Sequence, residues 1–150
     1  CVVRRVIARH DAVGGEDYEA VSDDEFERRR ERGEFAVHWR AHGNAYGIPR
    51  EIDDWLAAGR TVLFNGSRRA LPAAQQRYPA LAVVNITAEP QVLATRLTGR
   101  GRESCEAIAQ RLKLAAAELP AHALTVDNGG DIEQGVRHLT AAIRSLTGQI

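Results

Sequence analysis

Methionine is absent from this chain, lysine occurs once, at Lys113, and cysteine twice, at Cys1 and Cys105. Because there is no methionine and the opening Cys1-Val2-Val3 already reads as strand, Cys1 is not expected to be a native N-terminus. The two cysteines lack CxxC spacing, and no apolar run of about 18 residues or leader peptide comes before the first charges. These absences point to a soluble protein in a reducing, cytoplasmic setting, with no membrane partner. A basic excess is missing too: Lys plus Arg and Asp plus Glu are both 20, so no overall positive field gathers nucleic acid by counterion release. The five histidines form no pair spaced to ligate a metal on one helix face, and no metal-binding residue is assigned.

What is present fits one compact α/β domain. At 16.4 kDa, 44% hydrophobic residues can fill a single core. Nineteen of the 20 basic residues are arginine, a bias that a GC-rich genome largely accounts for. Turn signals arrive at short intervals, without repeats or low-complexity tracts.

Val2 to Ala8 reads as a strand, followed by a loop at Gly14-Gly15. Ser22-Asp-Asp-Glu25 is a capping box that starts a helix near Asp23 and carries it to about Arg32. Phe35 to Ala41 reads as a strand, with a turn at Gly43-Asn44, and Pro49 suits the first turn of a short helix closed by Gly59. Thr61–Asn65 and Leu81–Thr87 are short apolar runs of the kind expected in parallel strands covered on both faces, at the sheet centre. Helices are expected from Glu89-Pro90 to about Leu97, from Ser104 to Glu118 and from Ile132 to Leu146, with a last strand at Leu124–Val126. This alternation predicts a three-layer sheet with right-handed crossovers.

Three segments could carry chemistry. In the run Arg96-Leu-Thr-Gly-Arg100-Gly-Arg102-Glu, with Arg111 beyond it, four guanidinium groups converge on a glycine-hinged stretch. Their fork-shaped donors match phosphate oxygens, and a hinged basic segment can close over a nucleotide. Spacing alone leaves open a solvated helix-turn-helix whose arginines pair with Glu103 and Glu106. The second segment is Arg4-Arg5-Val-Ile-Ala-Arg9 with Gly14-Gly15-Glu16-Asp17-Tyr18. Arg9 there falls at a C-terminal strand end, where α/β sheets bind ligands, or else pairs with Asp11 at the surface. The third is Gly43-Asn44-Ala45-Tyr46-Gly47, a turn presenting a phenol hydroxyl, or an ordinary hairpin corner. Asn65-Gly66-Ser67-Arg68-Arg69 ends a strand and should face the same cleft.

Taken in order, these pieces resemble the guanylate kinase superfamily from Cys1 almost to the C-terminus. The matching residues are Ala8-Arg9, Gly15-Glu16-Asp17-Tyr18, Gly43-Asn44-Ala45-Tyr46-Gly47, Arg100-Gly101-Arg102 and Val126-Asp127-Asn128. The resemblance implies a P-loop nucleoside-kinase-like α/β/α fold with a parallel sheet, a small acceptor-binding part over about 9–60 and an arginine-rich lid over about 98–110. It implies that Arg9, Tyr18 and Tyr46 hold the acceptor's phosphate, that Arg96, Arg100, Arg102 and Arg111 clamp the phosphates of ATP, and that Asp127 and Asn128 lie by the adenine.

The glutamate that reads guanine in that family aligns with Val37, and the hydroxyl residue expected after Tyr-Gly is Ile48. Without these groups the base's polar atoms go unpaired, so GMP is a poor acceptor. Trp39-Arg-Ala-His42-Gly, Asn65-Gly-Ser-Arg68 and Gly99-Arg-Gly-Arg-Glu103 are instead similar to a sister family, the ribose 1,5-bisphosphate phosphokinases of bacterial phosphonate breakdown. That similarity implies transfer of the γ-phosphoryl of ATP, with Mg²⁺, to a small sugar phosphate, forming 5-phospho-α-D-ribose 1-diphosphate. Glu16, Asp17, Asn65, Ser67 and Arg68 then become acceptor-side residues, with Glu16, Asp17 and Asn65 partnering sugar hydroxyls or metal-bound water.

No G-x-x-x-x-G-K-[ST] occurs, and Lys113 is misplaced to serve as its lysine. The expectation is that the P-loop unit, on the order of 30 residues, precedes Cys1, and that this stretch alone has negligible kinase activity. Two alternatives stay open: a related kinase with another acceptor, and an inactive binding module of the same fold. A homodimer is compatible with the sequence.

Overall fold

The computed structural model describes residues 1–9, 16–99 and 119–148. The chain divides into two compact units, Cys1–Leu81 and Ala82–Ile150.

The first unit is built on a four-stranded sheet of β1 (Arg5–Ala8), β2 (Tyr18–Val21), β3 (Phe35–Ala41) and β4 (Asn44–Pro49), in the order β2-β1-β4-β3. β1 and β2 run parallel, whereas β4 is antiparallel to both β1 and β3. The sheet is therefore mixed, because a two-residue connection can join only antiparallel neighbours. That connection is His42-Gly43, one residue earlier than the predicted turn. Both residues have positive φ, 52° and 76°, as the tight hairpin turn matching strand twist requires.

Each face of this sheet carries its own core. Val6, Ala8, Phe26, Phe35 and Ala45 cluster on one side, where Phe26 of α1 (Asp23–Glu31) stacks on Phe35 at 4.7 Å. Val3, Val37, Trp39, Ile48, Ile52, Ala70 and Ala74 form the other, around α2 (Glu51–Ala57) and α3 (Leu71–Arg77). Phe35 and Val37, two residues apart, belong to opposite clusters because the ladder slips between them. Ser22 caps α1 as the capping box predicts, accepting from the Glu25 amide at 3.1 Å, while the Glu25 carboxylate turns to Arg28.

Two expectations change here. Thr61–Asn65 is not a central strand: Leu63 alone makes an isolated parallel bridge, to Val2, and stays 38% exposed, so the segment lacks the double cover such a strand needs. The predicted first strand shrinks to Arg5–Ala8, with Val2 left in that isolated bridge. A helix that periodicity had not revealed follows, begun by a 3₁₀ turn, Arg68–Ala70, whose cap Ser67 accepts from the Arg69 amide at 3.3 Å.

In the second unit, β5 (Val84–Thr87) pairs in parallel with β6 (Leu124–Asp127). It is accompanied by α4 (Pro90–Gly99) and α5 (Ile132–Thr147). β5 is shorter than predicted and its Ile86 is 54% exposed, so this strand too is not enclosed on both faces. Asp131 caps α5 through the Gln134 amide at 2.7 Å, and Gly148 ends it with φ 65°. The helix expected over 104–118 lies outside the described residues.

Candidate functional site

Strand alternation puts Arg5 and Ile7 on one face of β1 and Val6 and Ala8 on the other, which is buried against α1. Arg9 follows directly and continues the first set. Its guanidinium lies 5.3 Å from the Tyr18 ring centroid, so two of the three predicted acceptor-phosphate ligands are in contact. Tyr46, the third, pairs with Ile7 across the β1–β4 ladder and stacks flat on Trp39, with centroids 5.3 Å apart. Asn44 Nδ2 lies 3.5 Å from its hydroxyl. The three predicted phosphate ligands are thus placed by adjacent strands, Arg9 just after β1, Tyr18 on β2 and Tyr46 on β4.

Beside them lies a cluster centred on Arg5. Its Nε and Nη2 donate to Glu16 Oε1 at 3.1 and 2.5 Å, and its Nη1 donates to the Asn65 carbonyl at 3.2 Å. Asn65 Nδ2 in turn donates to Glu16 Oε2 at 3.3 Å. The Arg5 guanidinium also covers the Tyr46 and Trp39 rings, 5.0 and 5.8 Å from their centroids. Glu16 and Asn65, both predicted on the acceptor side, are 49 residues apart in sequence and hydrogen-bond here.

Other predicted residues go elsewhere. Asp17 is 84% exposed and pairs with Arg4 at 2.9 Å, away from the Glu16 cluster. The Ser67 hydroxyl caps the 3₁₀ turn, and Arg68 is half-buried within that turn. Sequence reasoning singled out Arg9 on its strand and passed over Arg5, although counting back by twos from Arg9 reaches it.

In the second unit the predicted adenine turn follows β6. The Asn128 amide donates to the Thr87 carbonyl at 2.7 Å, and Asp127 Oδ1 accepts from the Gly129 amide at 2.9 Å. Arg96, on α4, binds this turn rather than standing free: Nη1 donates to the Asn128 carbonyl at 2.5 Å and Nη2 to those of Gly129 and Gly130, at 3.4 and 2.6 Å. A shallow open depression follows, lined by Arg96, Asn128, Gly130, Asp131, Ile132 and Glu133. Gly135 on α5 lies against the Asn128 side chain, and a Cβ at that position would displace its Oδ1, 2.2 Å away. Arg100, Arg102 and Arg111 lie outside the described residues.

Residues 3–146 match the guanylate kinase family. Among curated proteins, the chain is 49% identical over 146 residues to ribose 1,5-bisphosphate phosphokinase PhnN of Azotobacter vinelandii, covering 95% of this chain and 79% of that protein. It is 46% identical to the protein of the same name from Pseudomonas paraeruginosa, covering 93% of this chain and 77% of the other. A bifunctional ribose 1,5-bisphosphokinase-thymidine phosphorylase of Cupriavidus necator is 42% identical over 96% of this chain and 24% of that one. Among solved structures, guanylate kinase from Anaplasma phagocytophilum superposes with a TM-score of 0.71 at 22% identity, covering 97% of this chain and 74% of that one, a likeness of fold. The chain belongs to the guanylate kinase family, and within it to the group of the ribose 1,5-bisphosphate phosphokinases.

Proposed function

We propose that the protein transfers the γ-phosphoryl group of ATP, supplied with Mg²⁺, to the 1-phosphate of ribose 1,5-bisphosphate, yielding 5-phospho-α-D-ribose 1-diphosphate and ADP. The observation that carries this reading is the acceptor face of the first unit. It offers arginine and phenol groups for a phosphate beside a carboxylate and an amide for hydroxyls, and apolar Val37 and Ile48 at the positions that read guanine in guanylate kinases. Val37 and Ile48, the positions that carry base-reading groups in guanylate kinases, pair in register and are both buried in the apolar cluster around Ile52. A purine edge placed against them would lose its hydrogen bonds to water without replacement, at about 1–3 kcal/mol per group.

In this reading Arg9, Tyr18 and Tyr46 grip the acceptor's reacting phosphate, and Glu16 and Asn65 take ring hydroxyls. The nucleophile is an ionised phosphate oxygen, so no side chain need remove a proton. That oxygen bonds to Pγ as the bond from Pγ to the β–γ bridging oxygen breaks, and the electron pair leaves with ADP. The protein's work is alignment and neutralisation of spreading charge. Arg96 serves ATP through the Asp127-Asn128 turn that it holds by three carbonyls, and Arg100, Arg102 and Arg111 clamp the phosphates.

Phosphorus NMR of the full-length protein with MgATP and ribose 1,5-bisphosphate tests the assignment. New diphosphate resonances coupled to a C1 sugar carbon are expected, together with ADP. Consumption of ATP without a sugar diphosphate, or product only with a nucleoside monophosphate, overturns it.

A further inference from the structure

Arg5 is only 11% exposed at its side chain, and three of its donor nitrogens are committed: two to Glu16 Oε1 and one to the Asn65 carbonyl. With both faces of its environment occupied, by two aromatic rings and by a carboxylate, the guanidinium is not disposed to grip a ligand itself. Its effect falls on Glu16. A carboxylate has about four acceptor sites, and here the Arg5 fork and the Asn65 amide fix its plane at both oxygens while leaving capacity on Oε2. Glu16 keeps 29% of its side-chain surface open. A carboxylate so held and still accessible accepts an O–H and repels a phosphate. Arg5 pairs directly with Tyr18 in the parallel ladder, so this acceptor adjoins the proposed phosphate grip.

We infer that Arg5 is a positioning residue that turns Glu16 and Asn65 into a hydroxyl-reading site, selecting acceptors whose phosphate stands next to free sugar hydroxyls. The inference rests on the proposed function, because it takes ribose 1,5-bisphosphate as the acceptor. It adds the residue that builds the site and the chemical feature the site reads. Loss of the fork leaves Glu16 able to rotate, and the acceptor hydroxyl loses its partner without any change on the ATP side.

The test compares Arg5→Gln, Arg5→Lys and Glu16→Gln in the full-length protein, with ribose 1,5-bisphosphate and its 2-deoxy and 3-deoxy analogues. Arg5→Gln and Glu16→Gln are each expected to raise KM for ribose 1,5-bisphosphate about tenfold, the worth of about one charge-assisted hydrogen bond. KM for ATP should stay within about twofold. With at least one deoxy analogue the same substitutions should change KM by less than about threefold, since the hydroxyl they serve is gone. Arg5→Lys, which keeps the charge without the fork, should fall between wild type and Arg5→Gln. Glu16→Gln lies at a more open position and keeps the test decisive should Arg5→Gln fail to fold. Equal sensitivity with all three acceptors, or an unchanged KM in Glu16→Gln, overturns the inference. Wild type that fails to turn over ribose 1,5-bisphosphate refutes the proposed function as well, whereas turnover with indifferent variants refutes this inference alone.

Discussion

Arg9 and Tyr18 are the pair on which the proposed phosphate grip depends. The arginine leaves the end of β1, the phenol opens the neighbouring strand β2, and the guanidinium settles over the ring. Arg9→Ala removes the charged half of this pair and should lower kcat/KM for the phosphorylated acceptor about a hundredfold, the loss of one or two charge-assisted hydrogen bonds. Steady-state kinetics with ATP saturating checks this, and a change under about threefold would remove Arg9 from the site. Motif order made Arg9, Tyr18 and Tyr46 candidates from the sequence, and the structure puts Arg9 over the Tyr18 ring and Tyr46 opposite Ile7. Arg5 was not legible in the same way. Its role depends on Glu16 and Asn65 meeting it, and the approach of Asn65, 60 residues away along the chain, leaves no local trace. Ser67 and Asp17 have local partners as well: the serine hydroxyl caps a helical turn and the acid pairs with Arg4.

At the scale of elements, Gly47 is the point where the sheet tolerates no side chain. A Cβ there would lie 2.6 Å from two ring carbons of Phe35, inside the stacked Phe26–Phe35 pair. Gly47→Ala is therefore expected to cost about 1–3 kcal/mol by overpacking, read as a fall in the urea midpoint. An unchanged midpoint would mean that the ring moves aside freely. α2 and α3 are tied together by Asp53, which accepts from the Tyr78 hydroxyl and from Arg77 Nη2, both at 2.6 Å. Burial by itself would raise the Asp53 carboxyl, but the Tyr78 and Arg77 hydrogen bonds and the Arg77 and Arg50 charges outweigh it and hold it below the ordinary carboxylate range. A group depressed in the folded state contributes stability above its unfolded value, about 3.9, and loses it as pH falls through the folded value. Asp53→Asn should thus cost about 1 kcal/mol near neutral pH, with the difference from wild type closing below about pH 4 in paired denaturant titrations. A constant difference down to acid pH would exclude the link.

The same scale separates what the sequence made legible from what it did not. Caps and turns were visible: Ser22 starts α1, and a glycine marks the β3–β4 hairpin, displaced by one residue because His42 also accepts positive φ. The strand assignments at Thr61–Asn65 and Leu81–Thr87 failed in part, since β-branched apolar runs signal burial in general and do not say which residues find a ladder partner. α3 went unseen because its start is a serine cap on a 3₁₀ turn and its apolar face is mostly alanine.

At the scale of the whole molecule, the first unit, Cys1–Leu81, carries Arg5, Arg9, Glu16, Tyr18, Tyr46 and Asn65, and the second, Ala82–Ile150, holds the Asp127-Asn128 turn against Arg96. Guanylate kinase family membership accounts for the scaffold, and the proposed choice of acceptor rests on the chemistry of Val37, Ile48, Glu16 and Asn65. The most direct measurement is the ratio of kcat/KM for ribose 1,5-bisphosphate to that for GMP, taken on the full-length protein at saturating MgATP. The account predicts a ratio of at least about a thousand, from two or more unpaired polar groups on a bound guanine at about 1–3 kcal/mol each together with the hydroxyl contacts that only the sugar bisphosphate makes. A ratio near one, or one favouring GMP, would contradict it.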